Sequence, residues 1–208
     1  MELFETIRER RSYRGFSSRE VEEAKIDMIL EAANMAPSPA NSQPWEFIVI
    51  SGKAAREQIF SLSNTALENG IVEVHGFSYI RPVPRSDGIG EESRSSPGYS
   101  LDFLRSVPVI IAVVGLPQTG IRQIMRERVQ DGYKYACAAA IQNMLLAAQA
   151  QGLGSLWYTF FDGNLVSRYL HIEDTKHLVA LVCIGYPGDH KPTAPGKIPL
   201  ARKVRRFD

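Results

Sequence analysis

Three guanidinium groups and a hydroxyl fall within five residues at Arg10-Arg11-Ser12-Tyr13-Arg14, just ahead of Gly15. Such a cluster can neutralise a phosphate dianion, because the planar arginine fork meets two oxygens at once and keeps its charge at any ordinary pH. Taken alone, the same cluster is also what a solvated helix face looks like. Two further stretches bear on the choice. Ala36-Pro37-Ser38-Pro39-Ala40-Asn41-Ser42-Gln43-Pro44-Trp45 is a polar loop in which the Ser38 hydroxyl and the Asn41 and Gln43 amides are stiffened by three prolines. Pro195-Gly196-Lys197-Ile198-Pro199-Leu200 lies in a tail that carries six Lys or Arg against one Asp between positions 191 and 208.

Other chemistries lack their signatures. There is no Gly-x-Gly-x-x-Gly, no Walker loop, no Gly-x-Ser-x-Gly elbow and no His-Glu-x-x-His, and the four histidines are scattered. No side chain stands out as an acid, base or nucleophile, and no metal site is expected. The reacting group is therefore expected to be something the protein holds, with no catalytic side chain assigned.

The polar stretches need elements to carry them. Leu3, Phe4 and Ile7, followed by Arg10 or Arg11, recur at helical spacing and predict a short first helix that delivers the arginines at its C-terminal end. Ser17 and Glu20 form a capping-box signal for a second helix with Ile26, Ile29, Leu30 and Ala33 as its buried stripe, ended by Pro37 and Pro39. Glu46 to Ile50 reads as a strand, and Ser51-Gly52 turns into a third helix through Ile59 and Leu62. Val107 to Gly115 is an apolar, β-branched run and predicts a fully buried strand.

Tyr133 to Gln151 reads as a helix with a small-residue face of Ala136, Ala139, Ala140, Asn143, Ala147 and Ala150, suited to a core helix or to a subunit interface. Gly152 stops it. Ser155 to Phe160 then predicts a strand, Asp162 and Asn164 the start of a short helix, and His177 to Gly185 the last strand. The Pro-, Gly- and Ser-rich segment from 75 to 100 is expected to be an irregular excursion or lid, and 186–208 an extended C-terminal tail. With about four strands visible, the sequence predicts a layered arrangement around a small mixed sheet.

A length of 208 residues suits one domain, taken as 1–208, and a net charge of +1 argues against a nucleic-acid protein. Cys137 and Cys183 are 46 positions apart in small or apolar surroundings, as reduced core residues would be. The N-terminus lacks a signal-peptide pattern and no apolar run approaches membrane-spanning length, so a soluble, cytoplasmic protein without membrane partners is expected.

As a set, the Arg-Arg-Ser-Tyr-Arg start, the Pro-Ser-Pro-Ala-Asn-Ser-Gln-Pro-Trp loop, Gly152-Leu153-Gly154-Ser155-Leu156-Trp157 and Lys197-Ile198-Pro199-Leu200 resemble the FMN-dependent nitroreductase family. The resemblance runs from about Leu3 to the C-terminus and is weakest between His75 and Tyr99. It implies an α+β fold, a three-layer α/β/α arrangement with a small mixed, mainly antiparallel sheet. It also implies bound FMN, whose isoalloxazine ring carries the redox chemistry while the protein holds and tunes it.

Carried over residue by residue, Arg10, Arg11, Ser12, Arg14 and Lys197 would meet the phosphate and part of the polar edge of the flavin. Which arginine faces phosphate and which faces the ring is left open. Ser38, Asn41 and Gln43 would reach the flavin of the other subunit of a homodimer. Trp157, Tyr158, Thr159 and Phe160 would border the ring, with a backbone amide toward N5. Thr159 and Phe160 depart from the small or acidic residues frequent there. The implied activity is hydride uptake from NADH or NADPH and electron delivery to a nitroaromatic, quinone or related small acceptor by a ping-pong mechanism. The alternatives are a specialised flavin-fragmenting or dehalogenating member of the same fold, a flavin-binding regulator without turnover, and a basic-tailed interaction protein.

Overall fold

The computed structural model describes residues 2–68, 72–74, 77–79, 101–117, 131–189, 192–194 and 196–207. Its centre is strand β4 (Val109–Gly115), in which every residue is buried, as expected for an uninterrupted apolar run between two covered faces. It pairs with β1 (Trp45–Ile50) on one side and β6 (His177–Gly185) on the other, and β5 (Gly154–Tyr158) pairs with β6, giving the order β1-β4-β6-β5. All three pairings are antiparallel. The parallel component of the expected mixed sheet is one isolated bridge, Ser12 with Ser155. A separate antiparallel hairpin joins β2 (Val72–Val74) to β3 (Phe77–Tyr79). Of the 75–100 excursion only 77–79, the strand β3, are described, and positions 75–76 and 80–100 lie outside the described residues.

Alternation along β4 sorts its side chains onto two cores. Val109, Ile111 and Val113 pack with Ile29 of α2 (Glu23–Asn34) and with Cys137, Ile141 and Met144 of the long helix α5 (Gly132–Ala150). Ile110, Ala112 and Val114 pack with Ile59 of α3 (Lys53–Glu68), Leu104 of α4 (Phe103–Ser106) and Val166 of α6 (Gly163–Tyr169). Helices on both faces of one sheet give the three-layer α/β/α arrangement. Both cores need the sheet in register, so truncating Ile111, which is fully buried, to Ala would cost about 2–5 kcal/mol.

The small-residue face of α5 packs within the chain. Ala136 and Ala140 are buried in the core, Ala139 and Ala147 pack against it, and the Asn143 amide donates to the Ala32 carbonyl of α2 at 2.9 Å. Gly152 adopts φ 75° where the chain leaves α5, and the Leu153 amide returns to the Ala148 carbonyl at 2.9 Å, closing the helix as a left-handed stop should. Cys137 and Cys183 are free and buried. Among the described residues no helix is long and apolar enough to cross a membrane.

Four expectations change at their edges. The second helix starts at Glu23 without a side-chain cap, so Ser17 and Glu20 are not its capping box. Residues 16 and 17 are instead drawn into a pairing with the tail, with the Phe16–Pro187 bridge and the Ser17 amide donating to the Tyr186 carbonyl at 3.0 Å. β4 starts at Val109, because Val107 closes α4 through its amide on the Phe103 carbonyl. β5 stops at Tyr158, whose hydroxyl donates to the Phe160 carbonyl and turns the chain. The third helix runs past Leu62 to Glu68.

Candidate cofactor site

Helix α1 (Leu3–Glu9) ends at Arg10, and the chain leaves it in extended form along β5. The Tyr13 amide donates to the Ser155 carbonyl at 3.0 Å, and the Tyr13 ring covers Gly154 so closely that a Cβ there would sit 2.8 Å from the ring. A glycine is needed at that crossing. The segment is thereby fixed against the sheet edge, and its polar side chains point into a cavity of about 1030 Å3.

Arg10, Arg11, Ser12 and Arg14 line this cavity together with Arg8, and Lys197 lines it from the tail beside Pro192, Thr193 and Ala194. The first and third sequence stretches therefore meet, although more than 180 positions separate them. Among the described residues, five cations and no carboxylate line the space. Burial, and next repulsion from the neighbouring Arg11 charge, lower the Arg10 pKa. An anion in the cavity relieves that repulsion. Arg11 is the least free of the group, since its Nη1 already donates to the Arg8 and Arg10 carbonyls at 2.5 and 2.9 Å, where α1 leaves carbonyls unsatisfied.

Ser155, across the bridge from Ser12, is 1 % exposed, and its hydroxyl has no hydrogen-bond partner among the described residues. Ser155 does not line the cavity, but a buried hydroxyl left without a partner behind the Ser12 segment calls for an explanation. Trp157 follows two positions on. It shares the sheet face of Ser155 by strand alternation and is 36 % exposed. Tyr158 points to the opposite face, buried edge-on against Phe103 at 5.4 Å between ring centroids, so only its backbone can face a ligand. Thr159 and Phe160 lie past the strand, the former half-buried and the latter exposed.

The Ser38 to Gln43 loop does not line the cavity of its own chain. It is a preformed, outward shape. Ala40, Asn41 and Gln43 all have positive φ, at 52°, 52° and 44°, a region that costs an L-residue roughly 1–2 kcal/mol each. The bend is held by the Gln43 amide on Ser38 Oγ at 3.0 Å and by the Trp45 indole on Asn34 Oδ1 at 3.1 Å. Beneath it, the Cys137 thiol, its pKa pushed up to about 12 by burial, donates to the Pro44 carbonyl at 3.5 Å. The Asn41 and Gln43 side chains are left exposed.

Sequence reasoning missed Arg8, Ser155 and the Pro192–Ala194 wall. Arg8 had a legible signal, since it precedes Arg11 by one helical turn. Ser155 and the wall had none, because their role comes from the bridge and the course of the tail.

Residues 7–186 match the model of the Nitroreductase family. The chain is 29% identical over 190 residues to 5,6-dimethylbenzimidazole synthase of Rhodospirillum rubrum, covering 88% of this chain and 81% of that protein. It is 28% identical over 206 residues to nitrobenzene nitroreductase of Ectopseudomonas oleovorans, covering 89% and 87%. Among solved structures, oxidized iodotyrosine deiodinase bound to FMN and 3-iodo-L-tyrosine superposes with a TM-score of 0.79 at 22% identity, over 100% of this chain and 99% of that one. With the family motif spanning the cationic segment, both cores and the whole sheet, the chain belongs to the Nitroreductase family.

Proposed function

We propose that this protein is an FMN-dependent oxidoreductase of the nitroreductase type, reduced by NADH or NADPH and oxidised by a small acceptor such as a nitroaromatic or quinone in alternating half-reactions. The observation that carries the reading is the single cavity in which Arg10, Arg11, Ser12 and Arg14 face Lys197. Its donors suit a phosphate ester, which brings about −1.5 to −2 charge at neutral pH. The exposed Trp157 extends an aromatic surface along β5, with the unpartnered Ser155 hydroxyl buried two positions before it.

FMN, when bound, supplies the electron-transfer chemistry. The protein's own part is to bind, orient and set charge. Arg10, Arg14 and Lys197 would hold the phosphate, Ser12 would offer its hydroxyl to the polyol, and the surplus positive charge would favour anionic forms of whatever the cavity holds. The backbone from Tyr158 to Phe160, together with Trp157, forms the border for the ring.

The site is proposed to be completed in a homodimer. Asn41 and Gln43 present amides outward from a strained loop, and α1 leaves Leu3, Phe4 and Ile7 exposed at 60, 72 and 49%. An apolar stripe of that kind on a short helix is what a subunit contact covers. Relatives named for dimethylbenzimidazole synthesis and iodotyrosine deiodination keep a specialised activity on this fold as the second reading.

Purified protein is expected to be yellow, with a flavin absorption band and the mass of a dimer. The band should bleach on adding NADH or NADPH without oxygen and return with an acceptor. A flavin that binds but never bleaches would leave the regulator reading in its place. A colourless protein that takes up no added FMN would refute the assignment.

A further inference from the structure

The two walls of the cationic cavity are joined at one place, close to both. The Ser17 amide donates to the Tyr186 carbonyl at 3.0 Å, Phe16 bridges Pro187, and the Gly188 amide donates to the Gly15 carbonyl at 3.1 Å. This short antiparallel seam ends one residue from Arg14 on one wall and four residues from Pro192 on the other. Backbones approach closely here, for a Cβ on Gly188 would lie 3.2 Å from the Gly15 carbonyl carbon.

Phe16 roots the seam in the core, and the Tyr186 side chain anchors its outer side. The Tyr186 hydroxyl donates to the Glu22 carboxylate, 2.7 Å from Oε2, and accepts from Lys25 Nζ at 2.8 Å. The Arg19 guanidinium lies over the Tyr186 ring at 3.8 Å and also bonds Glu22 Oε1 at 2.8 Å, while Lys25 Nζ stands 4.9 Å from the ring centroid. Lys25 and Gln151 exchange further bonds, Nζ to the Gln151 carbonyl at 3.4 Å and Gln151 Nε2 to the Lys25 carbonyl at 3.3 Å. The root of the tail is thus tied to the start of α2 and to the end of α5, and none of these groups lines the cavity.

We propose that Tyr186 is a positioning residue for the anion site: held among Arg19, Glu22 and Lys25, it fixes the seam that sets Lys197 opposite Arg10 and Arg14. This rests on the cofactor reading above. The physical reason is preorganisation. Lys197 sits in an exposed stretch with little regular structure, and without a fixed root its ammonium would sample many positions, so binding would have to order the tail. The expected loss is specific to the charged end of the ligand, since the β5 border is held separately by the Tyr13 and Ser155 pairing.

The test compares FMN with riboflavin, which lacks the phosphate. Full-length wild type, Tyr186→Ala, Tyr186→Phe and Gly188→Ala are stripped of flavin and titrated with each ligand by fluorescence, alongside a thermal midpoint. Wild type should bind FMN more tightly than riboflavin by about a hundredfold, from two or more charge-assisted contacts. Tyr186→Ala should weaken FMN about tenfold and riboflavin less than about twofold, and Tyr186→Phe should weaken FMN about threefold. Gly188→Ala should reproduce the FMN-specific loss through the backbone and carries the test if Tyr186→Ala does not fold. Equal weakening of both ligands, or none, overturns the proposal while leaving the cofactor assignment standing. A wild type that does not prefer FMN overturns the assignment and the positioning role with it.

Discussion

The Arg10 to Arg14 wall, between α1 and α2, and the Ser38 to Gln43 loop, between α2 and β1, are both polar, yet they are held by opposite means. The wall has relaxed backbone and depends on distant partners, namely Ser155 through Tyr13 and the tail through Gly15 and Ser17. The loop depends mainly on bonds within it and on its flanks, and three of its residues sit in left-handed backbone. The wall closes a cavity with its own tail. The loop is not among the residues lining that cavity, and its amides are proposed to reach a second copy. A binding surface can therefore be assembled by long-range pairing or prestressed locally, and the two should fail differently.

The largest effect expected from breaking the wall is on flavin affinity. Arg10→Ala or Arg14→Ala should weaken FMN by about 1.5–3 kcal/mol, roughly one to two decades in Kd by fluorescence titration. Arg11→Ala should cost less, because its guanidinium is already engaged by two carbonyls. Mixing Arg10→Ala protein with Asn41→Ala protein, after dissociation and reassociation, sharpens the contrast. If each site draws its wall from one chain and its loop from the other, about a quarter of sites should regain full affinity, since half of random dimers are hybrids with one intact site. No recovery would place both stretches in one chain's site.

Next in size, Gly154→Ala should destabilise the fold by about 1–3 kcal/mol in urea, because the new Cβ overlaps the Tyr13 ring, and should weaken FMN as the wall is displaced. Ser38→Ala loses the exposed hydrogen bond from the Gln43 amide and should cost about 0.5–1 kcal/mol. Its effect on FMN should appear only where the dimer forms.

The smallest effect is on acid stability. Glu22 is held down to about 2, first by hydrogen bonding to its own backbone, then by Tyr186. A depressed carboxylate contributes stability that is complete above its unfolded value near 4.5 and disappears as pH falls through about 2. Flavin retention should therefore fall between about pH 4.5 and 2, and Glu22→Gln should flatten that fall by removing the titration. The loop's Ser38 to Gln43 contact involves no carboxylate and should be indifferent over the same range.

Legibility in the sequence followed the range of the interactions. Asp162 announced α6 because its carboxylate bonds the Asn164 and Leu165 amides two and three positions on, at 2.9 and 3.0 Å. His177 to Gly185 was legible to the residue, since a strand buried along nearly its whole length writes its own apolar run. Ser17 and Glu20 misled because the partners of that segment lie near position 187, and a local motif carries no information about them. The same holds for the site. Arg10, Arg11, Ser12 and Arg14 were readable as a cluster, but their meeting with Lys197, the role of Ser155 and the Tyr186 anchor arise from tertiary pairing. Left-handed Ala40 gave no warning, for alanine has no preference for that region.

Ala40 also bears on how this protein would respond to selection for heat resistance. Glycine at that position would relieve φ 52° at once, an easy gain for any thermostability screen. The relaxed bend would hold Asn41 and Gln43 less firmly, so survivors of such a screen should be sturdier and slower. Variation at this one alanine is where durability and turnover would be traded against each other.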